Sequence, residues 1–180
     1  MNDRFTLKIQ GLRKMVDRMD FRAPLSNTLG KFIRASGETI AGEARAATPV
    51  DNGTLRASIV SNYTEEPGLY SAVIGSNVSY APYMEYGTGT QHDHPNWPRK
   101  PHRVAPEALV AWATRKLRGT GKDGQPMTPE ALARRAAFAI MARGGLKPRR
   151  MLRNAFNRLG PYVIEGLGRI TRGIINGRTG

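Results

Sequence analysis

An α+β fold is expected for this chain, a small antiparallel β-sheet packed by a long helix from the N-terminal half and followed by a helical C-terminal half. Three observations predict it. Apolar residues keep helical spacing from Leu25 to Ala47. Two β-patterned runs, Leu55 to Tyr63 and Leu69 to Gly75, follow a turn. Beyond residue 106 the apolar residues return to three- and four-residue steps.

Each element has its own local reason. Phe5, Leu7 and Ile9 alternate with polar neighbours and predict a short strand ending at Gly11. A brief helical stretch through Met15 and Met19 is expected to stop near Pro24. Leu25, Leu29, Phe32, Ile33, Ile40, Ala44 and Ala47 then form one apolar stripe, with Lys31, Arg34, Glu38 and Arg45 largely outside it. That helix must end at about Ala47, because the residue before Pro49 is pushed out of the α region. Pro49-Val50-Asp51-Asn52-Gly53 is a turn, since Pro fixes one φ and Asn-Gly permits a positive one. Glu65-Glu66-Pro67-Gly68 would connect the two strands as a hairpin.

Tyr80 to Tyr86 is compact and aromatic and is closed by Gly87-Thr88-Gly89. Residues 90–106 hold four of the twelve prolines, all three histidines and Trp97, and predict an irregular surface loop. Leu109, Val110, Trp112, Ala113 and Leu117 mark a short helix with Pro106 near its first turn. It ends in the linker from Gly119 to Gly124. Thr128-Pro129-Glu130 is a helix start with a hydroxyl cap, and Leu132, Ala136, Ala139 and Ile140 are its expected inner face. Gly144-Gly145 terminates it. Met151, Leu152, Ala155, Phe156 and Leu159 predict another helix; Pro161 is expected to restart the chain, with Val163, Leu167, Ile170 and Ile174 keeping helical spacing beyond it. The expected organisation is one domain over 1–160 with a helical insertion at about 91–146, then a C-terminal helical extension over 161–180.

Composition narrows the function. Cysteine is absent, which excludes disulfides and cysteine-ligated metals. No apolar run approaches the roughly 20 residues that cross a bilayer, and Met1-Asn2-Asp3-Arg4-Phe5 has no apolar signal core behind it, so a soluble protein with no membrane partner is expected. The net charge is +14, unevenly spread. Residues 1–47 carry nine Lys/Arg against five Asp/Glu, residues 48–96 one against five, and residues 97–180 eighteen against four. The basic C-terminal half points to a polyanionic neighbour, nucleic acid or an acidic protein surface, against the blander reading of a solvated basic face.

Catalytic chemistry is thinly supported. His92-Asp93-His94, with His102 further on, is the one cluster with ligand-like chemistry, and a polar loop is the simpler reading; no metal and no cofactor is expected. Glu85 between Tyr83 and Tyr86 reads as a structural carboxylate. No phosphate loop or nucleophile elbow occurs. An enzyme, at most a hydrolase using the His loop, ranks last. Arg99, Lys100 and Arg103, and Lys147, Arg149, Arg150 and Arg153, are the candidate interaction surface. They would hold a phosphate backbone without reading sequence, because no reader motif accompanies them.

Two segments carry a resemblance. Thr48-Pro49-Val50-Asp51-Asn52-Gly53-Thr54-Leu55-Arg56-Ala57-Ser58 closes the long helix, and Tyr80-Ala81-Pro82-Tyr83-Met84-Glu85-Tyr86-Gly87-Thr88 follows the hairpin. Their order and separation resemble the neck or tail-completion family of long-tailed double-stranded DNA bacteriophages, whose members are often labelled tail components or minor tail proteins. The helices around Trp112 and Ala136–Ile140, and Pro148 followed by Met151 to Phe156, agree with that family, although Met151 stands where an aromatic is expected. The resemblance makes Pro49, Asp51, Gly53, Leu55, Arg56, Tyr80, Pro82, Tyr83, Glu85 and Gly87 the structural motif. It implies a virion protein of the head–tail junction, assembled in the host bacterial cytoplasm as a homo-oligomeric, six-fold ring. Its implied partners are other neck and tail proteins, with non-specific contact to viral DNA. The alternative is a non-specific DNA-binding protein that uses its basic C-terminal half.

Overall fold

Three antiparallel strands, β1 (Phe5–Ile9), β2 (Ile59–Glu66) and β3 (Leu69–Ser76), form a sheet in the order β1-β3-β2. The computed structural model describes residues 5–9, 22–66, 69–97, 100 and 104–175; Gly11, Met15 and Met19 lie outside them. β2 and β3 pair without a slip from Ile59 opposite Ser76 to Glu66 opposite Leu69. The hairpin connection is therefore shorter than expected. Both glutamates belong to β2, leaving only Pro67 and Gly68, which lie outside the described residues, to connect the strands.

The strand expected from Leu55 begins instead at Ile59, because Thr54–Ser58 coils into a short helix, α2. Local bonds explain the difference. The Asn52 side chain accepts from Thr54 N–H, Gly53 turns the chain at φ 83°, and Ala57 N–H returns to Gly53 O. The Ser58 hydroxyl then donates to Leu55 O. Leu55 alone needs burial there, and one helical turn provides it.

The long helix α1 spans Arg22–Ala47 and takes Pro24 into its first turn, where a missing N–H costs nothing. Its stripe is largely as the spacing predicts. Leu29, Ile33, Ile40 and Ala44 are buried and Phe32 packs beside them, whereas Ala47, the last helical residue, is exposed. The helix lies on the sheet through Ile59, Tyr70, Ala72 and Ile74. Gly37 makes that approach possible: a Cβ there would press on the Ser61 hydroxyl and stand 2.8 Å from Ala72 Cβ. On its other side α1 meets the last helix, α6 (Met151–Ile175), whose Leu152, Ala155 and Val163 complete this core with Phe156, Leu159, Leu167 and Ile170. The restart expected at Pro161 does not occur; α6 runs through it. Gly160 has no Cβ to clash with the proline ring, and the continuing apolar stripe outweighs one lost helical bond.

Two compact units result, one of residues 1–81 and 151–180 and one of residues 82–150. In the second, a 3₁₀ turn at Pro106–Leu109 leads into α4 (Val110–Lys116), and α5 (Pro129–Ala142) follows. The Thr128 hydroxyl accepts from Ala131 N–H and caps α5, with Pro129 at its first position. The buried residues of α5 are Leu132, Ala133 and Ala137 rather than Ala136, Ala139 and Ile140, which are half-buried. The stripe is rotated because α5 seats against Ala113, with Leu109, Val110, Trp112, Leu117 and Met127 around it.

Candidate functional site

The second motif folds as α3 (Ala81–Tyr86), a helix of six residues. A short helix leaves its last four carbonyls without internal partners. Here each has one. Tyr83 O accepts from Gly87 N–H (3.0 Å), Met84 O from Arg149 N–H (2.9 Å), Glu85 O from Arg150 N–H (3.0 Å) and Tyr86 O from Asp93 N–H (2.9 Å). The basic segment is thus held by its own backbone against the C-terminal end of α3, where cations are also favoured by the helix dipole.

The pairing continues outward. Thr88 N–H donates to Leu146 O and Leu146 N–H to the Thr88 hydroxyl, both at 2.9 Å. Thr90 donates to Gly144 O through its N–H (2.7 Å) and its hydroxyl (3.1 Å). Residues 84–90 and 144–150 form a clasp that ties the two ends of the second unit together. Its glycines are there for contact. Gly87 sits at φ 80° with Leu146 O 2.5 Å from where a Cβ would be, and Gly145 sits at φ 122° against Thr88 O. Composition announced Gly87-Thr88-Gly89 and Gly144-Gly145 as turns; that they pair with each other across more than fifty residues is a tertiary fact.

Around the clasp the rings of His92, His94 and Trp97 are held by packing, contrary to the expected exposure of their segment, while Pro95, Asn96 and Lys100 are exposed. His94 stacks on Trp97 with centroids 4.5 Å apart and meets Tyr86 edge-on at 4.6 Å, while Tyr83 and His92 also touch Trp97. His92 is buried, with neither ring nitrogen hydrogen-bonded. Asp93 accepts from the Arg150 guanidinium at 2.7 Å, and His94 Nδ1 accepts from Asn96 N–H. His92, Asp93 and His94 therefore face separate tasks. Among the described residues no group of three His, Cys, Asp or Glu side chains is arranged to hold a metal; His102 lies outside them.

The remaining predicted residues divide between the units. Pro49, Asp51, Gly53, Leu55 and Arg56 follow the end of α1. There the Thr48 hydroxyl donates to Ala44 O and Arg56 donates to Thr48 O, so this motif caps the helix and turns the chain into the sheet. Tyr80 is exposed in the turn before α3, Pro82 lies in its first turn, Tyr83 is half exposed, and Glu85 is buried. On the basic side, Lys100, Lys147 and Arg149 are exposed. Arg150 is the one non-glycine residue with positive φ (53°) among those described, a strain of roughly 1–2 kcal/mol held by its bonds to Glu85 and Asp93. Arg153 is half-buried on the first turn of α6. Arg99 and Arg103 lie outside the described residues.

Comparison with known proteins gives one family. Residues 12–87 match the family model described as bacteriophage HK97-gp10, putative tail-component, and the match indicates a phage tail- or neck-type protein. It takes in the long helix, the hairpin and both motifs up to Gly87, and leaves the Pro-rich segment and the later helices outside. No curated protein and no solved structure gives a match. A tail component is a structural protein of the virion that interacts with other phage proteins. Among the described residues no helix is long and apolar enough to cross a membrane.

Proposed function

We propose that this phage tail-type protein acts at the head–tail junction, as a homo-oligomeric ring that joins head-closure proteins to the tail around the DNA exit channel. The observation that carries this reading is the joint occurrence of the family match over 12–87 and a site built wholly for holding backbone. The clasp satisfies carbonyls, orients Lys147 and Arg149 outward and engages Asp93 with Arg150; it aligns no nucleophile with a base. Its work is assembly, without covalent chemistry. In a ring each subunit needs only weak contacts, because several are made at once. Loss of the gene product from an infecting phage should leave filled heads and tails unjoined. Joined, infectious particles lacking the protein would contradict the role.

A second reading, non-specific DNA binding, is favoured by one observation: the Lys147 and Arg149 side chains are exposed and have no partner among the described residues. The two readings separate by salt. A DNA-binding subunit should lose affinity steeply as salt rises, with a slope that falls by about one for each phosphate-contacting cation removed. A ring protein should assemble with no DNA present.

A further inference from the structure

We propose that the two outer edges of the sheet are the contact between copies of this chain, β2 of one copy pairing in parallel with β1 of the next. The inference rests on the ring reading above and supplies the surface that would close the ring.

β2 is an edge strand of eight residues. Ile59 fixes which of its backbone groups point outward. Its N–H returns to Arg56 O and its carbonyl accepts from Arg45 Nε at 2.9 Å, so neither bonds to Ser76 opposite. In an antiparallel ladder such a pair alternates with bonded ones, which gives Ser61, Tyr63 and Glu65 the same outward orientation. Among the described residues nothing pairs with those outward groups. Natural edges are usually blunted by proline, a bulge or charged side chains along the strand. β2 has no proline and no bulge, and its charges are confined to its last two residues: its sequence is Ile-Val-Ser-Asn-Tyr-Thr-Glu-Glu, and its register is continuous.

Charge identifies the occupant. β2 ends on Glu65 and Glu66 with no cation in its length, while the chain as a whole carries +14, so another copy approaches with the opposite sign. The opposite edge of the same sheet, β1, contains Lys8. β1 and β2 are each antiparallel to β3 and therefore parallel to one another. Joining β2 to the next copy's β1 thus repeats one direction from subunit to subunit. Such an unlike-to-unlike contact generates a ring when its rotation closes, where a like-to-like contact stops at a dimer. The register supports the match: Lys8 and Thr64 both pair with Ser71, so at equal level Lys8 of the next copy stands beside Thr64, two residues from Glu66 on the same face of the sheet.

The absence of cysteine makes a clean test available. Within one subunit positions 8 and 64 are two strands apart, about 9–10 Å, beyond the roughly 7 Å that a disulfide can span. Full-length Lys8→Cys and Thr64→Cys chains, co-expressed and oxidised, should give a covalent dimer that neither gives alone, and the double variant a ladder ending in a closed ring. Glu65→Pro removes an outward N–H and no ladder bond; it should weaken assembly tenfold or more, while Glu65→Gln weakens it only a few-fold. An oligomer in native mass spectrometry without the mixed cross-link would overturn edge pairing and leave the ring reading intact. A Thr64→Cys dimer formed alone would indicate a two-fold β2–β2 contact and overturn it as well. A chain monomeric at every concentration would overturn both.

Discussion

Individual positions in this protein are constrained by close backbone approach more than by chemistry. Gly87 and Gly53 have nearly the same positive φ, 80° and 83°, but only Gly87 has neighbours where a Cβ would go. Gly53→Ala should therefore cost about 1–2 kcal/mol, the conformational penalty alone. Gly87→Ala should cost about 1–3 kcal/mol more, because Leu146 O and Pro148 N belong to the backbone and cannot swing aside. Chemical denaturation of the two variants measures the difference. Tyr63 offers a second single-residue test. Burial first, then its hydrogen bond to Glu65 and that residue's charge, push its hydroxyl up to about 12, against the opposing Arg34 guanidinium over its ring. The folded chain holds the proton more tightly than the unfolded chain, so this contribution is complete below pH 10 and is lost as pH rises towards about 12. Tyr63→Phe should flatten stability against pH within that window.

At the scale of elements, α1 contains its own internal control. Gly42 has open space around its Cβ position, so Gly42→Ala should stabilise by about 1 kcal/mol through helix propensity. Gly37→Ala gains the same propensity but must displace Ser61 and Ala72 of the sheet, and should lower the melting temperature. Thr128→Ala should cost about 1 kcal/mol by uncapping α5. These elements were legible in the sequence because periodicity and caps are local signals: Leu29 to Ala44 and Thr128-Pro129 fell where their spacing put them, and the hairpin formed with its first strand shifted to Ile59–Glu66. What was hidden was tertiary. Nothing in Leu55-Arg56-Ala57-Ser58 says that one helical turn will bury Leu55 better than a strand, and nothing in 92–97 says that Trp97 will gather Tyr83, Tyr86, His92 and His94. The clasp was half legible. Its glycines were visible as turns, but their partnership depends on the second unit closing on itself.

At the scale of the whole molecule, the family likeness rests on residues 12–87, and the tail-type structural role is proposed from it. The first unit is a sheet under two long helices with one edge strand ending in two glutamates, and the second is a helical insert closed by a clasp that turns basic residues outward. Both suit a subunit that is held among neighbours. Electron microscopy of intact virions tests this most directly. Density for this chain should form a closed ring between the portal and the tail tube, with the sheet continuous from one subunit to the next. Virions without the chain, or with single copies outside any ring, would contradict the account.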